Sequence, residues 1–175
     1  MNKKREESIP VQLARESIIC YLKTRIMMKQ PEHLSVELTQ NQAGVFVSLK
    51  KEGHLRGCIG TFMPTQNNIA LEIIENAVSA ATRDPRFPQL TMEEVDFLSI
   101  SVDILSPPEE VSDVSLLDPR KYGVIVSSGF KKGLLLPNLE GVNSAEYQIE
   151  IAKRKAGIFP GEKTQLSRFE VKRYY

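Results

Sequence analysis

Apolar positions along the chain change period several times, and each change marks an element. From Ser8 to Met28, Val11, Ala14, Ile18, Leu22 and Ile26 recur every three or four residues, which predicts a helix. Pro10 suits its first turn, and Pro31 helps to stop it. Cys20 lies among apolar neighbours and reads as a small packed residue. Between Gly44 and Phe62 the period drops to two. Val45, Val47 and Leu49 alternate with Phe46, Ser48 and Lys50, Lys51-Glu52-Gly53 makes a turn, and an extended run restarts at Leu55. This is a β-hairpin whose second strand is rich in glycine. Asn67 or Asn68 caps a second helix with Ile69, Ile73, Ala77 and Ala81 along one stripe, and its alanines suit close packing on a sheet. Asp84-Pro85 ends that helix, and Thr91 with Glu94 is spaced as a capping box for a short turn. Leu98, Ile100, Val102 and Ile104 then alternate with polar residues until Pro107-Pro108, a half-buried strand.

Two further strands are predicted at Tyr122–Ser127 and Gly133–Leu136. Ser144 caps a last helix with Glu146 near its start and Lys153, Arg154 and Lys155 near its end, matching the helix dipole, and Gly157 closes it. A final strand carries Phe169 and Val171 on one face. Strands arrive as hairpins rather than as βαβ units, so the fold class is α+β, with mixed, mostly antiparallel sheets flanked by helices. The 175 residues suit one domain that needs neither disulfides nor metals to hold a core. No repeat or low-complexity tract interrupts the pattern.

The charged start, MNKKREES, leads into a segment whose apolar runs are all short, so neither a secretory leader nor a membrane span is expected. Cys20 and Cys58 fall in different elements, which points to free thiols and a cytoplasmic setting. The net charge of +1 hides a split: residues 1–118 carry 12 Lys/Arg against 17 Asp/Glu, and residues 119–175 carry 11 against 5. A basic half of this kind fits an anionic partner such as RNA, or simply charges spread over solvated faces.

The candidate chemistry lies in HLRGCIGTF, residues 54–62. Strand alternation puts His54, Arg56, Cys58 and Phe62 on one face, with Leu55, Ile59 and Thr61 on the other. A guanidinium near a thiol favours the thiolate, which makes Cys58 a candidate nucleophile or redox thiol. Gly57 and Gly60 weaken a strand interior and point to a bulge, or to another backbone or a ligand close by. A second reading stays open: Cys58 packs, and Arg56 pairs with a carboxylate such as Asp84. His54 is about 13 Å along a straight strand from Cys58, so a Cys–His pair needs a bulge or His33 brought in from elsewhere. Arg83-Asp84-Pro85-Arg86-Phe87 either closes a helix through an Asp–Arg pair or presents Arg86 to an anion. Leu134-Leu135-Leu136-Pro137 reads as a core strand running into an edge. No metal-ligand spacing and no phosphate loop is present, so no metal and no cofactor is expected.

GVFVSLKKEGHLRGCIGTF, DPRFPQLTMEEV, ISVDILSPPEEV, GLLLPN and KRKAG, in this order, resemble the AMMECR domain family. The absence of Trp, where members often carry one before the last helix, departs from the pattern at Asn143-Ser144-Ala145. The resemblance implies an α+β fold of two lobes, the larger from both chain ends, with the motif near a cleft. It carries over Leu55, Arg56, Gly57, Cys58, Ile59, Gly60, Thr61 and Phe62, with Asp84, Pro85, Arg86 and Phe87. Arg56, Gly57, Gly60, Thr61, Asp84 and Arg86 are then the expected substrate-binding set around Cys58. The likeness is strongest to members of the AmmeMemoRadiSam system, which implies a Memo-like protein and a radical SAM protein as partners. It implies no settled activity. Three readings remain: an enzyme using Cys58 on an anionic substrate, a binding or scaffold module for those partners, and an RNA-binding protein; DNA and membrane are not expected partners.

Overall fold

The computed structural model describes residues 7–175, and the charged residues 1–6 lie outside it. The chain forms two compact units, one from the residues up to Ile104 with Arg173–Tyr175, the other from Leu105–Lys172.

The first unit is built on a four-stranded sheet of β1 (Val45–Lys51), β2 (His54–Thr61), β3 (Leu98–Leu105) and β8 (Val171–Tyr174), in the order β2-β1-β3-β8. The predicted hairpin is present: Glu52 and Gly53 both take positive φ, 52° and 81°, which matches the twist of a two-residue hairpin turn. Val45, Val47 and Leu49 are fully buried and stand opposite Val102 and Ile100 on the same face, which the helices cover. Helix α3 (Ile69–Thr82) packs directly on β1 and β2, and α1 (Ile9–Thr24) packs on α3. Asn68 caps α3 by accepting the Leu71 N–H at 3.0 Å. Two short helices complete this unit: α2 (Val36–Gln40), for which the apolar period gave no signal, and α4 (Met92–Val95), which begins with the predicted Thr91/Glu94 capping box.

Helix α1 is shorter than the apolar stripe predicts. It ends at Thr24 because Arg25 turns into the left-handed region (φ 61°), where its N–H bonds the Tyr21 carbonyl. Ile26 therefore lies outside the helix and is 69% exposed. Cys20 is half-buried rather than packed away, with its sulfur 3.7 Å from the Ile26 carbonyl oxygen.

The second unit is a sheet of β4 (Glu109–Val111), β5 (Gly123–Ser128), β6 (Lys131–Leu135) and β7 (Gln165–Phe169), ordered β4-β7-β5-β6, with α5 (Ala145–Ala156) against β5 and β6. Gly133 permits this contact, since a Cβ there would lie 1.9 Å from the Ala152 carbonyl oxygen of α5. Ser144 and Gly157 cap α5 as expected. The predicted last strand is in fact two: β7 joins the second sheet and β8 the first, so Phe169 and Val171 do not share a face. Between them the Glu170 backbone leaves the ladder and bonds Ser106 in both directions, at 2.9 Å each. Alternation alone carries no mark of such a break. Among the described residues, no helix is long and apolar enough to cross a membrane.

Candidate functional site

Arg56 and Cys58 do not form the joint site that strand alternation predicts. The β1–β2 pairing shifts register between Leu49↔Gly57 and Lys50↔Leu55, which leaves Arg56 as the extra residue of a β-bulge. The bulge redirects its side chain to Glu94, whose carboxylate accepts from Arg56 Nε at 3.1 Å and Nη2 at 2.9 Å. Lys51 donates to the same carboxylate at 3.1 Å, and Lys51 alternates with Leu49 on the helix-covered face. Cys58 faces the other way, opposite Ser48, whose hydroxyl donates to its sulfur at 3.3 Å.

Arg56 spends its remaining donors on the carbonyl of Pro88 at 2.8 Å and that of Gln89 at 3.4 Å. Its side chain is 14% exposed, and it pins the 88–94 segment to β2. Arg56 and Lys51 hold the Glu94 carboxyl at about 2, below its ordinary 4.5. A carboxyl whose folded pKa is depressed contributes stability above its unfolded pKa and loses it as pH falls through the folded one. Asp84 is depressed in the same sense, chiefly by Arg86. Acid unfolding is therefore expected to set in below about pH 4.5 and deepen toward pH 2. Urea titrations across this range should show a flatter stability profile for Glu94→Gln than for the parent.

The edge of β2 is closed by side chains where no strand lies beside it. In an antiparallel pair, alternate residues point their backbone groups away from the partner strand. At Cys58 the outward N–H donates to Asp84 Oδ2 at 2.9 Å, and the outward carbonyl accepts from Arg86 Nη2 at 3.2 Å. Asp84 also accepts from the Arg86 backbone N–H at 3.1 Å and from Arg86 Nε and Nη2 at 3.0 and 2.8 Å. A carboxylate and a guanidinium thus replace the carbonyl and amide of a neighbouring strand. Asp84 is 4% exposed, whereas the Arg86 side chain is 56% exposed. The Asp84 carboxylate raises the Arg86 pKa further, so this cation is permanent.

Packing accounts for both glycines. A Cβ on Gly57 would lie 2.3 Å from the Ala80 carbonyl oxygen, so another backbone fills that space. A Cβ on Gly60 would meet the Phe46 ring at 2.2 Å. Thr61 points to the helix side and donates to Glu72 Oε1 at 2.6 Å. Glu72 is fully buried, and also accepts from the N–H groups of Thr65 and Gln66, each at 2.8 Å. Sequence reasoning missed Glu72, Glu94 as the Arg56 partner, and Ser48. Glu72 follows one turn after a cap in an apolar helix, and such a charge facing a sheet was the only available signal.

The structure therefore gathers Cys58, Asp84 and Arg86 at one place and assigns Arg56, Gly57, Gly60 and Thr61 to holding the surrounding backbone. The hydrogen-bond partner of Cys58 Sγ is Ser48, while His54 and His33 are both exposed. Among the described residues, no three His, Cys, Asp or Glu gather as a metal site would require.

A family model described as AMMECR1 matches residues 11–174. A Thermotoga maritima protein is 51% identical over 156 residues, covering 88% of this chain and 90% of that protein. A Clostridium acetobutylicum protein is 49% identical over 99% of this chain, which spans only 37% of that longer relative. The crystal structure of an uncharacterized protein from Pyrococcus horikoshii superposes with a TM-score of 0.85 at 33% identity, covering 94% of this chain and 88% of that one.

Proposed function

We propose a binding function for this chain, which belongs to the AMMECR1 family: it presents Arg86, beside the Cys58 thiol, to an anionic group on a partner or ligand. The observation that carries this reading is the state of Arg86. One side of its guanidinium is fixed by Asp84 and the Cys58 carbonyl, and the side chain is still 56% exposed. Fixing one side removes the ordering cost that a free arginine meets on binding. The other cation of the motif, Arg56, is committed to Glu94 and two carbonyls.

Catalysis by Cys58 draws less support. A nucleophilic thiol needs a base within hydrogen-bond reach, and the group at that distance is the Ser48 hydroxyl. The Memo-like and radical SAM proteins that the sequence resemblance implies are the first partners to test for such an anionic group.

Two alkylating reagents of nearly equal size test the reading. Iodoacetate is an anion and iodoacetamide is neutral. About 1 kcal/mol of attraction from a cation some 4 Å away in water raises the iodoacetate-to-iodoacetamide rate ratio at Cys58 about fivefold over that of glutathione. The excess is expected to fall as salt is raised. A ratio equal to that of glutathione would overturn the proposal.

A further inference from the structure

The edge of β2 is closed at Cys58 and open at Gly60. The bonds of the Cys58 N–H and carbonyl to Asp84 and Arg86 show that they point away from β1, and Gly60, two residues on in the same unbroken register, points its own the same way. At Cys58 those groups are taken by Asp84 and Arg86. At Gly60 they take part in no hydrogen bond among the described residues. An unpaired strand edge is a template for another strand, and β2 is the outermost strand of its sheet. Gly60 has no side chain to overhang that edge, and beyond it Phe62 and Met63 are 36% and 48% exposed. This open stretch stops at a guanidinium.

We propose that the β2 edge at Gly60 docks the extended C-terminus of a partner protein, whose last carboxylate is received by Arg86. This deepens the anion-binding reading above and rests on it. An incoming strand running antiparallel to β2 pairs its penultimate residue with Gly60, exchanging two backbone hydrogen bonds. Its next amide nitrogen but one would bond the Cys58 carbonyl, but Arg86 Nη2 already occupies that place at 3.2 Å. A continuing chain is blocked there. A chain that ends one residue past the Gly60 pair stops short of that place, and its terminal carboxylate meets the guanidinium that fills it. The charge complements Arg86, and the blocked register accepts a chain end rather than an internal acidic segment. Exposed Phe62 and Met63 offer apolar contact to the residues upstream.

The probe is a solution library of N-acetylated random hexapeptides with free carboxyl termini, selected on the intact protein. The best binder is resynthesised as the free acid, as the C-terminal amide, and as the free acid methylated on its penultimate amide nitrogen. The free acid binds and slows hydrogen exchange at the Gly60 amide. Amidation removes the carboxylate and N-methylation removes the donor to the Gly60 carbonyl; each weakens binding by about tenfold or more. An empty selection, equal binding by the amide, or equal binding by the methylated peptide would each overturn the proposal. So would a peptide-free dimer whose Gly60 amide is protected, since a second copy then fills the edge. If any of these occurs while Cys58 still prefers iodoacetate, strand docking fails alone; if that preference is also absent, the anion-binding reading fails with it.

Discussion

Gly57→Ala is expected to destabilise the protein by about 3 kcal/mol or more, a large share of the stability of a domain this size. The new methyl carbon would stand 2.3 Å from the Ala80 carbonyl oxygen. That atom belongs to the backbone of α3, so relief requires the helix to move away from β2 rather than one side chain to turn. The fully buried Ile73 and Ala77 on the same helix would lose their contacts with it. Gly60→Ala is the internal comparison. Its methyl carbon would meet the Phe46 ring at 2.2 Å and the Val45 carbonyl oxygen at 2.6 Å; the half-buried ring can turn aside, and the backbone contact is less close than the 2.3 Å at Gly57. A cost of about 1–2 kcal/mol is expected there. Urea unfolding of both variants, read by circular dichroism, checks the order. If Gly57→Ala is the milder of the two, the close approach of α3 to β2 is not what this glycine serves.

Asp84→Ala carries the second large effect, about 2–4 kcal/mol. It removes the acceptor of the Cys58 N–H and of the Arg86 N–H together, and it frees the Arg86 guanidinium from its fixed orientation. The edge of β2 then exposes an unpaired amide and loses its charged guard, a condition that favours pairing between chains. Lower stability and a rise in apparent mass at high protein concentration are expected together, measured by urea titration and by light scattering after size exclusion. Asp84→Asn keeps one acceptor oxygen and should lose less than half as much stability. Equal losses from the two variants would mean that the carboxylate charge, not the edge hydrogen bond, supplies the stabilisation.

Much of the fold was legible because its elements obey one period each. The β1–β2 hairpin, the capped α3, the Thr91/Glu94 box and α5 with its serine and glycine caps all follow from side-chain spacing and local backbone chemistry. The features that escaped were those set by tertiary partners. The end of α1 at Arg25 depends on a left-handed turn at a non-glycine residue. The division at Glu170 depends on which sheet has room for each half of a run that alternates throughout. The site shows the same limit more sharply. The Asp84–Arg86 pair follows one of the two ways of reading Arg83-Asp84-Pro85-Arg86-Phe87. One bulged residue, Arg56, was enough to reverse the expected geometry, because alternation holds only while the register does. The cation that bonds the Cys58 backbone is Arg86, which lies 28 residues further along the chain and is held there by Asp84.

That exchange of one arginine for the other can be measured directly. The iodoacetate-to-iodoacetamide rate ratio at Cys58 is determined for the parent, Arg86→Gln and Arg56→Gln, under conditions where thermal unfolding confirms that each is folded. The expected result is that Arg86→Gln falls to the glutathione ratio while Arg56→Gln keeps the parent's excess. A ratio that survives Arg86→Gln, or that is lost only in Arg56→Gln, would contradict the assignment of Arg86 as the anion-facing group.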